Sequence, residues 1–215
     1  KIGLMSLTTV LLVCHAACLA GDLNPPSSPG STMKTLDEVE PRIPIAKADL
    51  PLTIDRPGSY YFTESITWTK AGAGAGNAAI DIQSNNVTID MKGFSLTGPA
   101  SSECTVGIYA EDKQRIRIMN GSIMYFTNYC IYLAGEGGWY NAVEDIQCQY
   151  ASMILIRLGD RSSAKNCKFY QGTGMGLWVG DTSIVSDCIV QNIPKTCADG
   201  IRTDYNCIVS NCTVN

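Results

Sequence analysis

Tyr109, Tyr132, Leu155, Trp178 and Arg202 follow one another at intervals of 23, 23, 23 and 24 residues. Each sits directly after an aliphatic residue (Ile108, Ile131, Ile154, Leu177, Ile201). In an extended strand it therefore points to the opposite face from that neighbour. Two positions on, a second outward row reads Glu111, Ala134, Arg157, Gly180 and Asp204. Aromatic faces stack on sugar rings, and guanidinium forks pair with carboxylate or sulfate. Tyr109, Tyr132, Trp178, Arg157 and Arg202 are thus the expected substrate-binding residues. If the face is catalytic, Arg157 or Arg202 is the candidate base and Tyr132 the candidate acid. Asp181, Asp199 and Asp204 are the candidate ligands for a calcium ion, the one cofactor this chemistry suggests. The competing reading is that outward aromatics are ordinary strand surface, or that a loop such as Gly135–Tyr140 covers them.

Histidine limits the alternatives. The single His of the chain, His15, lies in an N-terminal apolar segment. With that segment removed, Ser-His-Asp and Cys-His catalysis have no base, and His-ligated metals have no ligand. The cysteines form no CxxC pair, so a zinc site is not expected. The formal net charge is −4 and no run of basic residues occurs, which argues against a nucleic-acid partner.

The outward rows need a scaffold that repeats with them. Aliphatic residues restart each unit, and the second position after each restart is Ala110, Leu133, Ile156, Val179 and Thr203. That alternation predicts a short strand. A second column is anchored on Gly93, Gly121, Ile146, Cys167, Cys188 and Cys212. Ile118, Val143, Ala164, Val185 and Val209 precede the later anchors by three, and Ile123, Cys148, Phe169, Val190 and Val214 follow them by two. Directly before those anchors stand Asn120, Asp145, Asn166, Asp187 and Asn211. Asn and Asp tolerate left-handed backbone, so this column predicts a sharp bend. A unit that cannot bury its own apolar face must stack on its neighbours. The prediction is an all-β solenoid whose coils stack about 4.8 Å apart. A leucine-rich repeat has a similar period but requires several Leu per unit, which these units lack.

The segments IVSDCIVQN…ADGI and CIVSNCTVN resemble NosD-type repeats, and the columns resemble right-handed parallel β-helices of the pectin-lyase-like class. The resemblance covers residues 33–215 and implies that fold, in secreted bacterial proteins. It implies little about activity, because the architecture hosts lyases, hydrolases, epimerases, adhesins and inert scaffolds. Pectate lyases in the class hold calcium with carboxylates and remove a sugar C5 proton with Arg or Lys. No Asp-rich cluster or Arg spacing here matches theirs, so their catalytic residues do not carry over.

Residues 1–20 carry a Lys, an apolar run and a small-residue end, as a secretory signal does. They predict export to the cell envelope or beyond, and are too short in apolar length for a membrane span. A lipid anchor at Cys18 is the weaker alternative, since His15-Ala16-Ala17 suits it poorly. Residues 21–33 read as a Pro/Ser/Gly linker, 34–79 as an N-terminal cap with the first strands, and 80–215 as the coils. Thr35 to Glu40 is expected to form a short helix, Gly58 to Trp68 the first strand pair and Ala71–Gly76 a turn. The unit from Ile80 carries an insertion around Pro99–Thr105. The chain ends at Asn215 without a capping pattern, so the solenoid is expected to continue in a longer protein.

Of the ten Cys, Cys167, Cys188 and Cys212 are read as an interior thiol column, with Cys148 in the next one. Cys104, Cys130, Cys197 and Cys207 are the better disulfide candidates. Glycosylation sequons begin at Asn86, Asn120 and Asn211, but the last two already serve the bend. Together these readings predict an exported protein that binds or processes an extended, acidic polysaccharide through the aromatic and Arg face. The alternative is a non-catalytic surface or adhesive scaffold.

Overall fold

A computed structural model describes residues 42–74, 76–99, 104–193 and 199–215. The signal, the linker, the Thr35–Glu40 helix and Cys197 lie outside the described residues, as does most of the Pro99–Thr105 insertion. The chain is a parallel β-solenoid, as the columns predict.

Strand β1 (Arg42–Ile45) leads into a 3-10 turn at Lys47–Asp49, the only helix among the described residues. The first full coil holds β2 (Leu52–Ile54), β3 (Gly58–Phe62) and β4 (Ile66–Thr67), and the second β5 (Ala78–Ile82), β6 (Val87–Asp90) and β7 (Ser95–Thr97). Two coils with long second strands follow: β8 (Val106–Glu111) with β9 (Arg117–Met124), and β10 (Tyr129–Ala134) with β11 (Ala142–Gln149). The fifth holds β12 (Ile154–Leu158), β13 (Ser163–Lys165) and β14 (Lys168–Tyr170). The sixth holds β15 (Met175–Val179), β16 (Ile184–Ser186) and β17 (Ile189–Gln191), and the last β18 (Ile201–Thr203), β19 (Ile208–Ser210) and β20 (Thr213–Val214). The first strand of each coil joins a seven-stranded parallel sheet; the remaining strands form a thirteen-stranded sheet that bends along the Asn/Asp column.

The anchor columns pair as expected. Ile118, Val143, Ala164, Val185 and Val209 are register partners, and so are Ile123, Cys148, Phe169, Val190 and Val214. Asn120, Asp145, Asn166, Asp187 and Asn211 all have φ between 50° and 60°. Their side chains alternate amide and acid, so that Asn166 Nδ2 donates to Asp145 and Asn211 Nδ2 to Asp187. Asn120 Nδ2 donates to Asp90 one coil earlier. The alternation gives each amide a carboxylate acceptor and keeps like charges from stacking directly. Gly93 does not belong to this interior column. Buried Met91 occupies its place, and a Cβ on Gly121 would lie 2.4 Å from the Met91 Cβ. Glycine at 121 leaves room for that methionine.

Short donors close both bends. Directly after the left-handed residue come Cys167, Cys188 and Cys212, whose thiols donate to the carbonyls of Lys165, Ser186 and Ser210 at 3.3, 3.3 and 3.2 Å. At the corner between the two sheets, Arg161, Thr182 and Asn206 are left-handed. Ser162, Ser183 and Cys207 follow them and donate to Asp160, Asp181 and Tyr205. Here the side chains also accept from the coil before. Ile116 N–H donates to Asn141 Oδ1, Asn141 N–H to Ser162 Oγ, Ser162 N–H to Ser183 Oγ and Ser183 N–H to Cys207 Sγ, at 2.9 to 3.4 Å. The ladder satisfies buried amides that the bend removes from the sheet. The described cysteines are free thiols. Cys104, Cys130 and Cys207 therefore form no disulfide, and Cys207 is a ladder member instead.

One restart column is displaced from its expected register. Ile131 pairs with Ile156, which pairs with Leu177; Ile154 lies two residues earlier, opposite Tyr129 and Met175. The segments Arg115–Ile131, Tyr140–Ile156 and Arg161–Leu177 each advance 16 residues. The connections before them advance 7 from Ile108, 9 from Ile131 and 5 from Ile156. A coil of 25 followed by one of 21 mimics two units of 23, which hides the shift.

Candidate functional site

The shift changes the outward face. The row on the seven-stranded sheet reads Asp81, Tyr109, Tyr132, Arg157, Trp178 and Arg202, each paired with the next. Leu155 is not in it; that side chain is fully buried. Arg157 moves from the second row into the aromatic row, between Tyr132 and Trp178. Alternation alone leaves Leu155 and Arg157 on one face; what separates them is that Arg157 is the polar residue of β12 and the one that is not buried.

Stacking direction decides what this row can do. The Tyr109 and Tyr132 rings are stacked, with centroids 5.0 Å apart and planes 16° from parallel. The Arg157 guanidinium carbon lies 3.7 Å from the Trp178 ring centroid and that of Arg202 lies 4.4 Å from it. Both contacts run along the column, because Arg157 and Arg202 sit on the coils either side of Trp178. Rings stacked on their own neighbours turn edges outward. The face is thus a ladder of aromatic edges and guanidinium groups, and Trp178 has no free face for a sugar. Its indole N–H donates to the Asp204 carboxylate at 3.2 and 3.3 Å.

The two ends of the row differ. Tyr109 is only 9% exposed, and a Cβ on Gly76 would lie 2.4 Å from its ring. The turn at Gly76 lies against it. Tyr109 donates to Glu111 at 2.7 Å, and burial together with that carboxylate pushes its phenol well above the ordinary range. Asp81, beneath the same turn, is 2% exposed and accepts two bonds from Gln83 Nε2 at 2.8 and 2.9 Å; burial raises its carboxyl. Tyr132, Arg157 and Trp178 are half-buried and Arg202 is exposed. Burial raises the Tyr132 phenol, assisted by Glu111, and lowers the Arg157 guanidinium against the opposing pull of Asp204. Arg157 spends one N–H on the Leu158 carbonyl at 3.0 Å. The accessible cluster is therefore Tyr132, Arg157, Trp178 and Arg202, with Asp204 beside it.

The calcium candidates lie apart in role. Asp181 Oδ1 accepts the Tyr205 N–H at 2.9 Å, Asp204 holds the indole, and Asp199 stands on the connection leading into β18. Among the described residues no three His, Cys, Asp or Glu side chains converge as a metal site, and no helix is long and apolar enough to cross a membrane. Compared with known proteins, the chain matches no family model, no curated protein and no solved structure.

Proposed function

We propose that this chain is an exported β-solenoid that binds an extended, acidic polysaccharide along the outward face of its seven-stranded sheet. One observation carries the reading: Arg157 and Arg202 are held on opposite sides of Trp178, two coils apart. Two coil spacings are about 9–10 Å, a separation that suits a chain bearing an anionic group on every second sugar. The indole fixes both forks by cation–π contact, which lowers the entropy lost on binding. Asp204 anchors the indole in turn. Trp178 is a spacer for the two forks in this reading, in place of a stacking platform. The row of paired residues runs from coil to coil, so a polymer that follows it runs along the solenoid axis.

Elimination is the second reading, favoured by the pairing of Tyr132 with Arg157 on adjacent strands. Burial lowers the guanidinium, the direction that a base requires, and keeps the Tyr132 phenol in its protonated form. Arg157 would remove the proton α to the uronate carboxyl and Tyr132 would protonate the departing glycosidic oxygen.

The test is affinity electrophoresis of the full chain in gels carrying polygalacturonate or dextran sulfate. Retardation that Arg202→Gln reduces by about tenfold in affinity, without altering the melting temperature, supports the binding face. Equal retardation of wild type and Arg202→Gln in both gels rejects it.

A further inference from the structure

A different face carries the second inference. Beyond the Asn/Asp bend, the outward rows of the thirteen-stranded sheet form a groove of about 380 Å³ lined by Gln147, Gln149, Tyr170, Gln171, Gln191 and Asn192. Gln149, Tyr170 and Gln191 are register partners on β11, β14 and β17. Gln171 and Asn192 are the left-handed corner residues beside them, with φ of 52° and 55°. The same corner row continues as Tyr150 and Tyr125, whose rings are stacked at 4.5 Å and are each 38% exposed.

The amides of this groove are unengaged. None of the four Gln side chains, nor that of Asn192, forms a hydrogen bond with another described residue. The neighbouring groove along the Asn/Asp column differs in this respect, because Asn120 and Asn166 are already bonded to carboxylates. The amide groove also has no ionisable carboxylate or cation in its lining. Each free amide offers two donors and an acceptor, which matches hydroxyl groups that both donate and accept. A charged polymer would find no counter-charge there. A hydrophobic peptide would bury the amides unpaired, at a cost.

We infer that this groove is a second binding site, for an uncharged polyhydroxylated chain, a neutral oligosaccharide lying across β11, β14 and β17. It does not depend on the Arg face. Gln149 and Gln191 hydrogen-bond sugar hydroxyls from strands two coils apart, and Tyr170 between them offers its ring. The exposed Tyr125–Tyr150 pair extends the site along the corner row.

The test is titration calorimetry of the full chain with cellohexaose, xylohexaose and maltohexaose. At least one is expected to bind, and raising the salt is expected to leave its affinity unchanged. The double variant Gln149→Ala/Gln191→Ala should weaken that binding by about tenfold or more, whereas Arg202→Gln should not affect it. A melting temperature for the double variant within error of wild type shows that the loss is local. Failure of all three sugars to bind overturns the inference. So does binding that survives the double variant, or that disappears with Arg202→Gln.

Discussion

Replacing Ser162 by Ala tests the ladder that holds the corner between the two sheets. Ser162 is 3% exposed and Asn141 is 1% exposed, so neither finds water when the other is lost. The Ser162 hydroxyl accepts the Asn141 N–H at 3.2 Å and donates to the Asp160 carbonyl at 3.0 Å. Alanine removes both bonds and leaves a buried N–H without an acceptor, at a cost of about 1–3 kcal/mol. For a chain of this size that lowers Tm by about 2–4 °C for each kcal/mol lost. Ser162→Cys keeps a donor and an acceptor of the kind seen at Cys207, and should recover about half of the loss. Ser210→Ala, on the exposed strand β19, is the control and should change stability by less than about 0.5 kcal/mol. Urea unfolding followed by far-ultraviolet circular dichroism measures all three. Solenoid coils interact only with neighbours, so the m-value must be compared before the midpoints are converted to free energies. If Ser162→Ala matches Ser210→Ala at unchanged m, the ladder contributes nothing and the argument from unsatisfied amides fails.

The other expectations concern the interior. Cys188→Asp places an unpaired carboxylate between Cys167 and Cys212 and should cost about 3–5 kcal/mol; Cys188→Ser retains the bond to the Ser186 carbonyl and should cost far less, as denaturant titration will show. Gly121→Ala drives a methyl against Met91 and the Phe94 carbonyl, so a loss of about 1–3 kcal/mol is expected from the same assay. Asp81 has its carboxyl raised by burial, so the folded state holds the proton to higher pH than the unfolded chain does. Stability should fall as pH rises above about 4, the ordinary carboxyl value, and Asp81→Asn should remove that part of the slope in melting curves taken from pH 3 to 7.

Much of the solenoid was legible because its strictest demands are local. A left-handed bend favours Asn or Asp, and a buried column tolerates only apolar or thiol side chains, so both recur at readable spacing. The Ser162–Ser183–Cys207 ladder is harder to see in the sequence, where its one mark is a short donor directly after each left-handed residue. Spacing alone puts Leu155 in the aromatic row in place of Arg157, because the connections vary from 5 to 9 residues and compensate between adjacent coils. Polarity inside β12 is the signal that corrects it, since Arg157 is the polar residue of ILIRL and the one that is not buried. Ring orientation was beyond reach of the sequence altogether. Spacing places Trp178 outward, but whether it offers a face or an edge depends on the guanidiniums that sandwich it. The amide groove is hidden in the sequence for a similar reason. Single Gln residues on strands look like solvated surface until register brings Gln149, Tyr170 and Gln191 side by side.

The most direct test of the polysaccharide face is sedimentation of the full chain with an insoluble calcium-polygalacturonate gel, at low and high salt. Wild type, Arg157→Gln/Arg202→Gln and Gln149→Ala/Gln191→Ala are compared, with supernatant absorbance from unsaturated uronate followed in parallel. The account predicts that wild type and the Gln double variant co-sediment at low salt and are released by high salt, while the Arg double variant stays in solution. Rising absorbance would add elimination to binding. Wild type left in solution at low salt, or an Arg double variant that still co-sediments, would contradict the account.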